Sequence, residues 1–280
     1  GDTLYFQNNI VPYQTLYSVR NGSSWSNPQR ILYSLNSAHY LQVTNKGNHF
    51  ISSISNPSLG ASDWCNLTMS GTDTSVISLG VPVSTSGDNL DFYIARDESF
   101  IITTSPAGLS VSFNKNNRWT NPKNLGSQIN FGLGMWGPFV TSDKKYLFYT
   151  TGTNPNYSDT RVHWIRIDSL IDSLMQTNFI PYINCKIPNQ TDSVGYSYNY
   201  TFPDTTFIDD DGNNTLTYSA TLNNGNPLPS WLSFDPSTRT FSGTPTSTGN
   251  YFLKVTATDT ANAKAFCIFN LKIENPVTSV

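Results

Sequence analysis

Apolar and polar positions alternate along short runs of this chain rather than recurring every three or four residues. The clearest run lies near the C-terminus. Ala265, Cys267, Phe269, Leu271 and Ile273 fall on one side of an extended chain, and Phe266, Ile268, Asn270 and Lys272 on the other. A period of two is that of a half-buried β-strand. Tyr251–Asp259 reads as a second such strand. Upstream, short apolar runs punctuated by Gly, Pro, Asn and Asp predict further strands in groups. A first group comprises Thr3–Gln7, Thr15–Arg20 and Gln29–Leu32, without an innermost strand. A second comprises His39–Thr44, His49–Ser55, Trp64–Ser70 and Val76–Gly80. A third comprises Leu90–Arg96, Phe100–Thr104, Leu109–Phe113 and Lys123–Gly126. A fourth comprises Pro138–Thr141, Tyr146–Thr151, Val162–Ile167 and Ser169–Met175. In the last of these, Leu170, Ile171, Leu174 and Met175 stand at helical spacing, so a short helix could replace the outer strand.

The groups share landmarks. Arg20–Ile31 and Lys115–Leu125 both run turn, Trp, Ser or Thr, Asn, Pro, polar pair, aliphatic, with Trp25 and Trp119 94 residues apart. Half that spacing is the size of a four-stranded propeller blade. Ala95–Ile101 and Thr141–Leu147 share a polar tight turn in which an Asp can accept nearby backbone N–H groups. The run Pro138-Phe139-Val140-Thr141-Ser142-Asp143-Lys144-Lys145-Tyr146-Leu147-Phe148-Tyr149 resembles the hairpin that opens each blade of WD40-like repeats in TolB-like proteins. The Gly that this repeat places after its Asp is Lys144 here, and Glu98 in the third group. The resemblance implies a small or partial β-propeller over residues 1–178, of about four blades with the first incomplete. An unclosed set would leave edges through which the protein could oligomerise.

From Tyr182 onward, seven or so strand-like segments span about 95 residues, the size of an immunoglobulin-like sandwich. Phe207–Ala220, Leu228–Asp235, Thr240–Pro245 and Val255–Asp259 resemble, in order, the dystroglycan-type cadherin-like domain, also known as the He_PIG immunoglobulin-like domain of bacterial surface proteins. The expected organisation is therefore all-β. A propeller at 1–178 and a linker at 179–186 precede a cadherin/Ig-like β-sandwich at 187–280.

Composition narrows the setting. Asn, Ser and Thr number 31, 34 and 32, about a third of the chain, while charged residues are 12% and aromatics 13%. Disordered chains are poorer in aromatics and richer in charge. The net charge of −3 lies wholly in residues 181–280, which carry 5 basic and 8 acidic side chains against 11 and 11 before them. No basic cluster offers a nucleic-acid footprint, and no apolar run approaches the ~20 residues of a membrane span. Without an initiator Met, an export signal could already have been removed. A secreted, periplasmic or cell-surface setting follows from the resemblances, with an extracellular protein or polysaccharide as partner.

Candidate chemistry is sparse. The turn Asp209-Asp210-Asp211-Gly212 sets alternate carboxylates where they could supply oxygens to a hard cation. The cadherin resemblance implies calcium at Asp209, Asp211 and Asp259, and a plain strand-to-strand turn is the competing reading. Trp231, flanked by Leu228, Leu232 and Phe234, reads as core rather than as a sugar platform, and Trp25, Trp119, His163 and Trp164 read as packed. Gly243-Thr244-Pro245 reads as a tight turn. Cys185 and Cys267 could pair, although three buried thiols fit as well. No HExxH or GxSxG occurs, and Glu98 and Glu274 are the only glutamates. No catalytic residue is assigned. The favoured reading is a non-catalytic binding or adhesion protein. The alternative is a carbohydrate-active enzyme or glycan-binding subunit, which needs convergent acids at the propeller centre.

Overall fold

The computed structural model describes residues 2–276 except 9–13, 33–37, 54–60, 71–72, 85, 88, 90, 153, 155 and 157. Residues 54–55 and 90, which end two of the expected strands, lie outside the described residues. The chain divides into two compact units, Gly1–Thr177 and Asn178–Val280.

The first unit is a succession of four antiparallel sheets. The first holds β1 (Thr3–Gln7), β2 (Thr15–Asn21), β3 (Ser24–Trp25) and β4 (Gln29–Ile31), with β1, β3 and β4 all pairing β2. The second runs β5 (Ala38–Val43), β6 (His49–Ser53), β7 (Asp63–Ser70), β8 (Asp73–Ser78) as a meander. The third holds β9 (Phe92–Ile94), β10 (Phe100–Ser105) and β11 (Gly108–Lys115), with β12 (Arg118–Trp119) and β13 (Lys123–Asn124) both on β11. The fourth is β14 (Gly134–Val140), β15 (Tyr146–Gly152) and β16 (Thr160–Arg166). Helix α1 (Asp168–Gln176) follows in place of an outer strand. None of the described sheets closes into a barrel.

The sheets stack through apolar faces. Ile51, Cys65 and Leu67 of the second sheet pack with Leu32, while Phe50 and Trp64 on its other face pack with Phe92, Ile94 and Ile101 of the third. Burying both faces lets a strand become a continuous apolar run, as Phe100–Ile102 of β10 shows, whereas β11 fills its second face with buried Ser110 and Ser112. The fourth sheet keeps the alternation. Leu147, Tyr149 and Thr151 are buried, whereas Phe139, Phe148, Val162 and Trp164 are exposed. Trp164, expected as packed, is 66% exposed. It stands in register with Phe148 and, through it, Phe139, whose ring also meets Tyr93 of the third sheet. Trp25 is likewise exposed, while Trp119 packs beside the core shared by the second and third sheets.

Tight turns fasten the third and fourth sheets to their predecessors. Glu98 and Lys144 take the left-handed φ of 61° and 59° that the missing Gly would take without strain. Asp97 and Asp143 each accept a backbone N–H two residues on, from Ser99 and Lys145. The buried Glu98 carboxylate accepts bonds from Thr44 Oγ1 (2.6 Å) and Asn48 Nδ2 (2.8 Å) of the preceding sheet's hairpin, and pairs with Lys46 Nζ at 3.3 Å. Burial raises the Glu98 pKa, but these bonds outweigh it and leave the pKa below the usual carboxylate range. Lys144 Nζ in turn donates to Asp97 Oδ2 and, at 3.1 Å, to Ser99 Oγ.

The second unit is a sandwich of two main sheets with a small third pair. β17 (Tyr182–Ile183) pairs β20 (Phe207–Ile208). The larger sheet runs β18 (Gln190–Ser193), β25 (Lys264–Glu274), β24 (Gly249–Thr258), β21 (Thr217–Leu222), with β18 parallel to β25. The smaller runs β19 (Tyr198–Thr201), β23 (Thr240–Gly243), β22 (Leu232–Asp235). The core holds Phe202, Phe207, Phe241, Leu253, Val255, Cys267, Phe269, Leu271 and Ile273, with Trp231 packed at its margin edge-on to Tyr251. Gly243 is not a turn residue. It pairs both Tyr198 and Leu232, and a Cβ there would fall 1.8 Å from the Trp231 carbonyl oxygen. Cys185 and Cys267 are free thiols. Cys185 is exposed, so neither a disulfide nor three buried thiols describes them.

Candidate functional site

The first strands of the four sheets adjoin in series, β1 to β5, β5 to β9 and β9 to β14. The central cleft they enclose is about 620 Å³, within the range of small-molecule sites. Its walls include Tyr5 and Phe6 from β1, Tyr40 and Gln42 from β5, Tyr93 from β9, Arg96 beyond it and Phe139 from β14. Tyr93 meets Phe139 edge-on, with ring centroids 6.0 Å apart. Burial pushes the Tyr93 hydroxyl up to about 12, and it stays neutral at physiological pH.

Two β-bulges shape the walls. One interrupts the β5–β6 register between His39 and Gln42, the other the β14–β15 register between Trp136 and Phe139. Tyr40 in the first adopts φ 54°, and Gly137 in the second φ 57°. A bulky residue held in this region costs of order 1–3 kcal/mol and needs its surroundings to hold it. Asp91, only 6% exposed, supplies that support to both. Its Oδ2 accepts the Gly137 N–H at 2.6 Å, and its carboxylate accepts the Tyr40 hydroxyl. Burial, reinforced by Asp91, raises the Tyr40 pKa far above its usual value. Beside them, the Gln42 amide stands in for a missing strand pairing. It donates to Phe92 O at 2.7 Å and accepts from Ile94 N at 3.0 Å, joining β5 to β9.

Among the described residues, the cleft lining contains no Asp or Glu, and Arg96 is its one charged side chain. The two-carboxylate arrangement that a glycosidase needs is absent from these walls. No motif marks the cleft, because Tyr5, Tyr40, Tyr93 and Phe139 come from separate strands and converge, with Arg96 beyond β9, only through the fold.

The residues singled out for calcium lie at one end of the second unit. Asp209 follows β20, Asp211 opens the turn to a short 3₁₀ segment (Asn213–Thr215), and Asp259 ends β24. Asp209 is 5% exposed. Its Oδ1 accepts the Asp211 N–H at 2.9 Å, and its Oδ2 has no hydrogen-bond partner. Burial raises the Asp209 pKa. The Asp211 N–H opposes that rise, and the charges of Asp211, Asp259 and Asp210 add to it. Asp211 and Asp259 face the incoming segment of the unit. Asp211 Oδ2 accepts the Phe179 N–H at 2.6 Å and Asp259 Oδ2 the Asn178 Nδ2–H at 2.8 Å. Among the described residues no three His, Cys, Asp or Glu side chains are grouped so as to hold a metal ion.

A parallel first strand on the last strand of a seven-stranded sandwich, with an acidic turn at one end, places the second unit within an immunoglobulin-like framework. Residues 181–274 match the family described as "Putative Ig domain" (He_PIG). The matched stretch takes in β17 as well as the two main sheets. No curated protein matches the chain. Among solved structures, the extracellular domain of a "putative hybrid two component system" from B. thetaiotaomicron is similar at 12% identity and a TM-score of 0.36, covering 97% of this chain and 38% of that one. A "putative alpha-galactosidase" from Bacteroides fragilis is similar at 22% identity and a TM-score of 0.27, covering 34% of this chain and 18% of that one. The chain therefore spans well under half of either structure. No helix among the described residues is long and apolar enough to cross a membrane.

Proposed function

We propose that this protein is a non-catalytic, extracytoplasmic binding or adhesion protein of a bacterium, secreted, periplasmic or at the cell surface. In this reading the first unit is a partial β-propeller that presents an interaction platform, and the Ig-like domain is a spacer or adhesion module. The observation that carries the reading is the central cleft. Its neutral aromatic walls are held by two bulges fastened to one buried carboxylate, and bulges of this kind re-aim side chains beside binding sites. The serial adjacency of β1, β5, β9 and β14 supports a propeller-like arc. The exposed Phe148 and Trp164 offer its open end to a second copy of the chain.

The acidic corner belongs to the same reading as a calcium-stiffened element formed by Asp209, Asp211 and Asp259. The unpartnered, buried Asp209 Oδ2 favours this role. The test is a thermal-shift screen of the whole chain against extracellular polysaccharides and Ca²⁺, run beside Tyr93→Ala. A ligand that binds the native state raises its melting temperature. The reading expects a polysaccharide-dependent rise that Tyr93→Ala abolishes. A polysaccharide-dependent rise that survives Tyr93→Ala, or no rise with any polysaccharide, overturns it.

A further inference from the structure

We infer that the central cleft selects an anionic ligand, specifically an oligosaccharide bearing carboxylates, with Arg96 as the residue that holds the acidic group. The inference deepens the binding reading above and rests on it.

The charge arithmetic at the cleft is one-sided. Arg96 is exposed, and no carboxylate pairs with it among the described residues. Its neighbour Asp97 is engaged by Lys144 and Ser99. Glu98 is taken by Thr44, Asn48 and Lys46. Asp91, the nearby buried acid, is turned away into the bulges, bonded to Tyr40 and to the Gly137 N–H. Every acid close in sequence is therefore already committed, and the guanidinium is left as an uncompensated donor fork. Such a fork matches a carboxylate in planar, bidentate geometry.

The rest of the lining suits sugar rings. Tyr5, Phe6, Tyr40, Tyr93 and Phe139 give apolar faces with polar rims, on which the C–H faces of pyranose rings can pack while hydroxyls reach water or the Tyr oxygens. The aromatic walls with one cation suit a ligand carrying isolated acids on a largely neutral body better than a densely charged polyanion.

The experiment titrates the whole chain with oligogalacturonates and oligomannuronates, and with their fully methyl-esterified counterparts, by calorimetry at low and at physiological salt. Arg96→Gln, Arg96→Lys and Tyr93→Ala are measured alongside. The expected result is that at least one free acid binds about tenfold or more tighter than its ester, a difference of about 1.4 kcal/mol. Arg96→Gln should erase that preference while leaving weak, equal binding of acid and ester. Arg96→Lys should retain part of it, and Tyr93→Ala should weaken both. Equal binding of acid and ester by the native protein, with Tyr93→Ala still disruptive, overturns the anionic selectivity and leaves the cleft as a neutral-sugar site. Absence of binding by every oligosaccharide, acid or ester, overturns this inference and removes the sugar reading of the cleft with it.

Discussion

Asp209→Asn should stabilise the Ig-like domain at neutral pH, which is an unusual outcome for altering a buried residue. In the native domain, Asp209 is 5% exposed, one of its oxygens has no partner, and Asp211, Asp259 and Asp210 all raise its pKa. The asparagine keeps the Oδ1 that accepts the Asp211 N–H and replaces the orphaned anionic oxygen with an NH₂ donor. A buried polar group left unsatisfied costs about 1–3 kcal/mol, more when charged. Relief of part of this predicts a gain of about 1–2 kcal/mol, and 1 kcal/mol moves the melting temperature of a domain of this size by about 4–8 °C. The pH dependence has a definite sign. A carboxyl whose pKa is raised by folding adds stability below its unfolded value, near pH 4, and that contribution is lost as pH rises through the folded value. The variant's advantage should therefore vanish at pH 3, open above pH 4 and persist at pH 7. The assay is urea denaturation of the whole chain in EDTA across that range, followed by hydrogen exchange of the amides of β24 and β25. In excess Ca²⁺ the ordering should reverse if the corner binds calcium, because only the wild type would gain ligand-linked stability. An Asp209→Asn protein no more stable than wild type at pH 7 in EDTA refutes the account of Asp209 as a strained charge.

Gly243→Ala should destabilise the Ig-like domain by about 3 kcal/mol or more in the same denaturation. The new methyl would sit 1.8 Å from the Trp231 carbonyl oxygen and force β22 from β23. Glu98→Gly and Lys144→Gly should diverge despite equal backbone relief. Glu98→Gly should lose about 1–2 kcal/mol, because the buried carboxylate serves Thr44, Asn48 and Lys46. Lys144→Gly should stay within about 0.5 kcal/mol of wild type, since it gives up only a surface pair. Equal losses in the two would sink that distinction. Asp91→Ala should release both bulges, costing about 2–3 kcal/mol of stability and abolishing cleft binding in calorimetry. Retained binding would show that the bulges do not depend on Asp91.

What the sequence conveys follows from how many faces an element buries. β25 is readable because Cys267, Phe269, Leu271 and Ile273 enter the core while Phe266, Ile268 and Lys272 face solvent. β11 is buried on both faces, yet Leu109, Val111 and Phe113 alternate with Ser110 and Ser112, so its pattern reads as that of a half-buried strand. The helical spacing around Ile171 marks α1, whose one buried side chain is Ile171. Trp164 misleads because composition cannot say that its part of the fourth sheet stays open to solvent. The acidic corner was visible as a motif, but its grip on Asn178 and Phe179 depends on side-chain and backbone groups that carry no signature. The cleft was invisible altogether. Its aromatic residues are unremarkable in their own strands, and only two register slips and one buried carboxylate aim them at a common space.

The turn-to-turn fastening has a consequence for how the first unit is made. Glu98 reaches back to the hairpin at Thr44 and Asn48, and Lys144 reaches back to Asp97 and Ser99. Both turn fasteners reach back to residues already synthesised, whereas Gln42 and Asp91 wait for later segments, β9 and the Gly137 bulge. A nascent chain emerging N-terminus first can therefore seat the turns of the third and fourth sheets on their predecessors as they appear. A further sheet could be fastened at the open end by one more turn of the same kind, with its own forward-reaching partner in the sheet before it.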